Sequence, residues 1–395
     1  MRRILLSMVI LGVLGCGAES PSTETRLPEP GDIRFGTLNE DQVRRMVEID
    51  PADDGPFYMV NLIKFREKAD YADGRETDLT GREADALYAP LEFLAAIGAQ
   101  IVFVADVEAN LISLEGTQWE QIAIVRYPSR ALFFQMTQDE EFQARAIHKD
   151  AGVEKTLVMV THLRAPITLP EGGDIPNPAT EDDPPVAIAH LLAYNEIADY
   201  GPDSSEPERT GREAMSLYEQ AGSGVAIEQG GGPLGWFDVE GVFIGDEREW
   251  DEFRINLFPS HAAFAAVVAD PTRQAGQVHR EAAIEDTYTT ANQVFVNGLS
   301  EDGSGGGLPE VTDNGTGTLC ATDATCEGQE ADFCLSFEGA GFCTVTGCGA
   351  GTCEGDYLCC HDCADFAADL LPFEGSACLP SFAIAQVSAA QCTCD

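Results

Sequence analysis

Two histidines, His148 and His279, stand 131 positions apart in a chain of 395 residues. Imidazole accepts and returns a proton near neutral pH, so each is a candidate catalytic acid–base group. Polar residues beside apolar runs accompany them: Asn61, Lys64, Tyr71, Arg82, Tyr88 and Arg126 in the first part, and His190, Tyr200, Arg212 and Tyr218 in the second. Asn61 interrupts the apolar stretch Phe57 to Phe65 (FYMVNLIKF). An unpaired amide there would cost about 1–3 kcal/mol, so it must hold a partner, either backbone or ligand. Lys64 and Arg126 offer cations to an anionic group, or simply solvate strand ends. Tyr88 and Tyr218 fall on the helix face that carries Leu91, with hydroxyls reaching a rim. Asn61, Lys64, Arg126, His190, Tyr88 and Tyr218 are therefore the candidate ligand-binding set. For His148 and His279 the competing role is structural, closing a hydrogen bond beneath the last strand of each half.

Composition removes whole classes of function. With 23 Lys plus Arg against 67 Asp plus Glu, the net charge is −44. Such a surface repels phosphate backbones, which argues against nucleic acid. It also repels anionic lipids, so membrane contact requires a covalent anchor. No cysteine lies between positions 17 and 319, excluding a thiol nucleophile or Cys-ligated metal there. The five histidines of that region, at 148, 162, 190, 261 and 279, show no helical ligand spacing, and no phosphate or dinucleotide glycine motif occurs. Neither metal nor cofactor is expected.

These residues belong to a repeated pattern. Thr80 to Tyr88 (TGREADALY) recurs as Thr210 to Tyr218 (TGREAMSLY), matching at seven of nine positions. Trp119, Pro128, Ser129, Phe133, Asp139, His148 and Thr156 recur as Trp250, Pro259, Ser260, Phe264, Asp270, His279 and Thr287, always 131 residues on. So long a constant register implies a duplicated domain. In the first copy Phe57 to Phe65 is a strand, and Thr80 with Glu83 forms a capping box opening a helix through about Ile97. Gln100 to Val107 and Gln121 to Tyr127 are strands, Ser129 caps a second helix, and Thr156 to Val160 is the last strand. The order β-α-β-β-α-β is ferredoxin-like. Its sheet covers one face with helices and needs a second sheet on the other, which the duplicate supplies.

The strand FYMVNLIKF, the TGREADALY helix, Trp119 before the third strand, Tyr127-Pro128-Ser129-Arg130 and His148-Lys149-Asp150-Ala151-Gly152 together resemble the bacterial domain-of-unknown-function family 1330 of the dimeric α/β-barrel superfamily. The resemblance covers about Asn39 to Leu163 and, more weakly, Val186 to Asn297. It implies that the two copies form one barrel internally, giving a monomer with an internal pseudo-dimer. The second copy departs from the pattern, with His190 for Asn61, Ala193 for Lys64 and Leu257 for Arg126, so the two sites are no longer equivalent.

The ends carry an address and a staple. Residues 1–16 have Arg2 and Arg3, an apolar run from Ile4 to Leu14, and then Val13-Leu14-Gly15-Cys16, a lipobox pattern with Cys16 as the lipidated residue. Gly17 after the cysteine favours the outer membrane of a Gram-negative cell. At the other end, Cys320, Cys326, Cys334, Cys343, Cys348, Cys353, Cys359, Cys360, Cys363, Cys378, Cys392 and Cys394 crowd into 75 residues. An even number in an exported protein implies disulfides.

The expected architecture is α+β: signal peptide 1–16, polar tether 17–38, ferredoxin-like repeat 39–164, linker 165–185, second repeat 186–298, Gly/Ser/acidic linker 299–319 and a disulfide-rich domain 320–395. The expected function is small-molecule binding between the two sheets. The alternatives are a cofactor-free enzyme, of monooxygenase or isomerase type, using His148 and His279, and a surface scaffold whose cysteine-rich module binds protein or glycan.

Overall fold

The computed structural model describes residues 33–164 and 175–299, together with six short strands after residue 318. The signal peptide, Cys16, the tether before residue 33 and cysteines 326, 348, 353, 363 and 392 lie outside the described residues.

The first half runs β1 (Thr37–Leu38), α1 (Glu40–Val47), β2 (Phe57–Phe65), α2 (Gly81–Tyr88), α3 (Leu91–Ala96), β3 (Gln100–Ile112), β4 (Gln121–Tyr127), α4 (Arg130–Thr137), α5 (Glu140–Gly152) and β5 (Val153–Arg164). The second runs β6 (Val186–Tyr194), α6 (Gly211–Glu228), β7 (Gly232–Gly245), β8 (Glu252–Phe258), α7 (His261–Ala269), α8 (Pro271–Ala283) and β9 (Ile284–Asn297). In each half the first long strand is central, β2 between β4 and β5, and β6 between β8 and β9. Strand β3 pairs with β9 across the halves, β5 pairs with β7, and the β7–β8 pairing closes an eight-stranded antiparallel barrel. Helices cover its outside, so the fold is a closed eight-stranded α+β barrel made by one chain.

Strand alternation sorts the residues into two layers. Tyr58, Val60 and Leu62 of β2 point inward and join Phe103, Trp119 and Ile122 in the barrel core. Phe57, Met59 and Ile63 point outward, beneath the helices. The interior is filled: Trp119, Tyr288, Phe103, Phe237 and Phe253 are each at most 1% exposed. The expectation of a ligand between the two sheets is corrected here, because aromatic side chains from both halves occupy that space.

Both capping boxes form, Thr80 with Glu83 and Thr210 with Glu213. The helix expected from Thr80 to about Ile97 instead breaks at Ala89–Pro90. Proline supplies no N–H and crowds the preceding turn. The second half has no proline at this point, and α6 runs 18 residues without a break.

Helix α2 sits unusually close to its neighbours because residue 81 is glycine. A Cβ there would stand 2.3 Å from the Arg66 carbonyl oxygen and 2.4 Å from that of Gly152. Backbone atoms cannot yield as a flexible side chain can, so Gly81→Ala should lower stability by about 3 kcal/mol. Urea unfolding checks this; a loss below about 1 kcal/mol would show that α2 relocates freely.

The C-terminal strands are β10 (Leu319–Cys320), β11 (Phe333–Phe337), β12 (Ala340–Thr344), β13 (Tyr357–His361), β14 (Ala377–Pro380) and β15 (Thr393–Cys394), in two three-stranded sheets. Their register sets Cys334 opposite Cys343, Cys359 opposite Cys378 and Cys360 opposite Cys394. Among the described residues no helix is long and apolar enough to cross a membrane.

Candidate functional site

A cavity of about 500 Å³ lies in the first half, between the outer face of β2–β4–β3 and helices α2 and α3. The break at Ala89–Pro90 forms part of its wall. Met59, Ile63, Leu91, Leu94, Ile101 and Val125 make most of the lining apolar. Asn61 lies on the sheet side, its amide donating to the carbonyls of Met59 (3.2 Å) and Ala123 (3.3 Å). At one edge Asp106 accepts hydrogen bonds from Arg82 (2.9 Å) and Gln121 (3.2 Å).

Four further polar groups reach the same cavity: Asp85 and Tyr88 from α2, Tyr127 from the end of β4, and Lys149 from α5. The Gly81–Gly152 contact brings α2 and α5 together and so sets Asp85 near Lys149. Oδ1 of Asp85 is buried and has no hydrogen-bond partner. The Tyr88 and Tyr127 hydroxyls and the Lys149 ammonium take no hydrogen bond among the described residues either. The ammonium lies 5.1 Å from the centre of the Tyr88 ring, a cation–π contact. Burial pushes the Asp85 carboxyl up, with Lys149 and Arg82 pulling part of the way back. Burial likewise pushes the Lys149 amine down, against the pull of Asp85. Both phenols are pushed up by burial and remain hydrogen-bond donors through the neutral range.

Of the residues singled out from the sequence, the cavity brings together Asn61, Tyr88 and Arg82. Lys64 instead pairs with Glu154 at 2.6 Å. Arg126 alternates with Gln121, Ala123, Val125 and Tyr127 along β4; those four line the cavity and Arg126 does not. His148 is also outside the lining; its Nδ1 shares a 2.7 Å hydrogen bond with the Tyr71 hydroxyl, tying the loop before α2 to α5. His279 is tied to Tyr200 in the same way at 2.8 Å. At each histidine a tyrosine hydroxyl thus occupies one ring nitrogen. Asp85, Lys149 and Tyr127 escaped the sequence reading. One signal was there: Asp85 faces Met215 in the otherwise matching TGREA-x-x-LY motif.

The corresponding region of the second half is built differently. His190 and Arg254 occupy the paired positions that Asn61 and Ala123 hold in the first half. Arg254 stacks 4.2 Å from the Trp236 ring centre, donates to the Tyr194 hydroxyl at 3.0 Å, and crosses to Glu219 of α6 at 2.6 Å. Glu252 holds it from the sheet and also receives Arg164, Arg212 and the Tyr194 hydroxyl. The Tyr218 hydroxyl accepts from Arg273 at 3.1 Å. Asp85 and Tyr127 have Met215 and Phe258 as counterparts. Here Arg254, Glu252, Tyr194 and Glu219 pair with one another, and Tyr218 with Arg273.

His190, hydrogen-bonded to Thr289 at 3.2 Å, has its pKa lowered to about 3 by burial, with Arg280, Arg254 and Arg273 adding repulsion. The unfolded chain takes up this proton below about pH 6.5, whereas the folded chain resists until about pH 3. Stability is therefore present above the first value and lost as pH falls towards the second. His190→Asn, which copies Asn61, should flatten stability across that window in urea titrations; an unchanged slope would reject this account.

No protein-family model matches the chain, and no curated protein matches it. Among solved structures, the methylated RPA0582 protein, from Rhodopseudomonas palustris, shares 30% identity over 32% of this chain and 93% of its own, with a TM-score of 0.28. An anthrone oxidase-like protein shares 13% identity over 62% of this chain and 92% of its own, TM-score 0.37. A mutant chlorite dismutase from Candidatus Nitrospira defluvii shares 12% over 63% and 94%, TM-score 0.34.

Proposed function

We propose that the chain is an exported, lipid-anchored protein that binds a small organic molecule in the helix–sheet cavity of its first half. The observation that carries this reading is the gathering of Asp85, Lys149, Tyr88 and Tyr127 around an apolar cavity, with a buried oxygen of Asp85 that no protein group pairs. A buried polar atom left unpaired, as Oδ1 of Asp85 is, costs about 1–3 kcal/mol, and a ligand that pairs with it removes that cost. A volume of about 500 Å³ suits a small organic ligand. The second half is a duplicate whose cavity was closed by the Ala-to-Arg difference between positions 123 and 254. Export rests on the signal-like residues 1–16 and on the cysteine-rich tail.

Native mass spectrometry of the whole chain, extracted from its own membranes in mild detergent, tests both parts. The expected species is a monomer that begins at an acylated Cys16 and carries a non-covalent organic mass, released on unfolding. A chain without bound mass would overturn the binding reading. An unmodified N-terminus would overturn the anchor.

A further inference from the structure

Resting on that reading, we propose that the polar end of the cavity is a proton-transfer centre for neutral, enolisable carbonyl compounds. Asp85 removes a proton from the carbon next to the carbonyl group. Lys149 and the hydroxyls of Tyr88 and Tyr127 receive the oxygen on which negative charge develops. The C–H bond breaks and its proton passes to Asp85; the electron pair forms the C=C bond of an enolate while the carbonyl π pair moves onto oxygen. Asp85 then returns the proton to the same carbon or, in a conjugated substrate, to one further along. The net result is exchange or isomerisation, balanced without oxidant, reductant or second substrate.

The neighbouring acids show why Asp85 is distinct. Asp106 is held by Arg82 and Gln121, and Glu252 by three arginines and a tyrosine. Asp85 keeps a buried oxygen without a partner on the cavity wall. It is electrostatically coupled to Lys149, yet no ion pair joins the two among the described residues. A base left bare beside a cation and two phenolic donors is the arrangement enolisation requires: an acceptor for the proton and fixed donors for the oxyanion. With Asp85 and Lys149 balancing each other, an uncharged ligand leaves no net charge buried. The apolar remainder of the lining accepts an aliphatic or aromatic body. Met215 and Phe258 replace two of the four groups in the second half, which therefore lacks the centre.

The probe is 2-tetralone, a compact aromatic ketone, with the full chain in D2O. Saturation-transfer NMR reads its binding, and proton NMR reads deuterium entry beside the carbonyl. The expected result is exchange above the buffer rate that falls about 100-fold or more in Asp85→Asn with binding retained. Lys149→Met should slow exchange as well and supplies a second variant should Asp85→Asn fold poorly. His148→Gln should exchange like the parent chain. Exchange that survives in Asp85→Asn, or fails equally in His148→Gln, would overturn the assignment. Binding without exchange would overturn the proton transfer while leaving the cavity a receptor. Absence of binding would overturn this inference, and together with a bare native mass it would overturn the binding reading too.

Discussion

Replacing Glu252 by alanine should lower the unfolding free energy by about 3 kcal/mol, the cost of removing the shared acceptor from a buried ion-pair network. Glu252 is 1% exposed and Arg254 6% exposed. Together they span the gap between sheet and helix that the first half leaves as a cavity. Without the carboxylate, Arg254 retains Glu219, but Arg164 and Arg212 lose a shared acceptor. The pH dependence gives a second reading of the same interaction. Burial alone would raise the Glu252 pKa, yet Arg254, Arg164, Tyr194 and Arg212 hold it at about 2, below the ordinary 4.5. For a carboxyl group lowered in this way, the stabilisation is complete above about pH 4.5 and is lost as pH falls towards 2. Urea unfolding of the parent chain and of Glu252→Ala at several pH values should therefore show curves that converge in acid. The double variant Glu252→Leu, Arg254→Leu should recover most of the loss, because an apolar pair of similar size has no charge to desolvate. A single-variant loss below about 1 kcal/mol would mean that Arg254 reaches solvent and closes nothing.

How much of this was written in the sequence differs between scaffold and site. Strand β2 carries the bounds expected from its apolar run, and the Thr–Glu capping boxes start α2 and α6 where the motif placed them. Those signals are local: strand length, side-chain alternation and a hydrogen bond three residues away. The helix break at Pro90 was equally local, but the leucine periodicity across it, Leu87, Leu91 and Leu94, masked it. The site depends on information that periodicity does not hold. Asn61 and Tyr88 stood out because a polar group interrupted an apolar pattern. Lys149 sits in a charged stretch of α5 and looked like any solvated lysine, until the Gly81–Gly152 contact placed that stretch against α2. His148 drew attention by its chemistry alone, and its partner Tyr71 lies 77 residues away, beyond the reach of any spacing rule. The interior of the barrel was misassigned for a related reason: each sheet read alone has a bare face, and only the pairing of β3 with β9 and β5 with β7 shows how Trp119, Phe237 and Tyr288 fill it.

Placing phenylalanine at Ala123 should abolish ligand binding while leaving the fold intact. Ala123 lies directly opposite Asn61 in the β2–β4 register, on the cavity wall. At the paired position of the second half the chain itself carries Arg254, whose side chain crosses to α6. Arginine at 123 would be a poor copy, because Gln121 stands where Glu252 would neutralise it and Ala89 where Glu219 would. A phenyl ring fills the same volume with no charge to satisfy. Buried against Met59, Leu94 and Val125, it should leave the melting temperature unchanged or higher, since it covers apolar surface rather than displacing packed atoms. Binding of 2-tetralone should weaken at least about 100-fold, a steric exclusion that no side-chain rotation relieves. Because Asp85, Lys149 and both tyrosines remain in place, the variant separates access to the cavity from the chemistry at its polar end. Parental affinity in Ala123→Phe would place the ligand elsewhere on the molecule, and the difference between Ala123 and Arg254 would then explain packing alone.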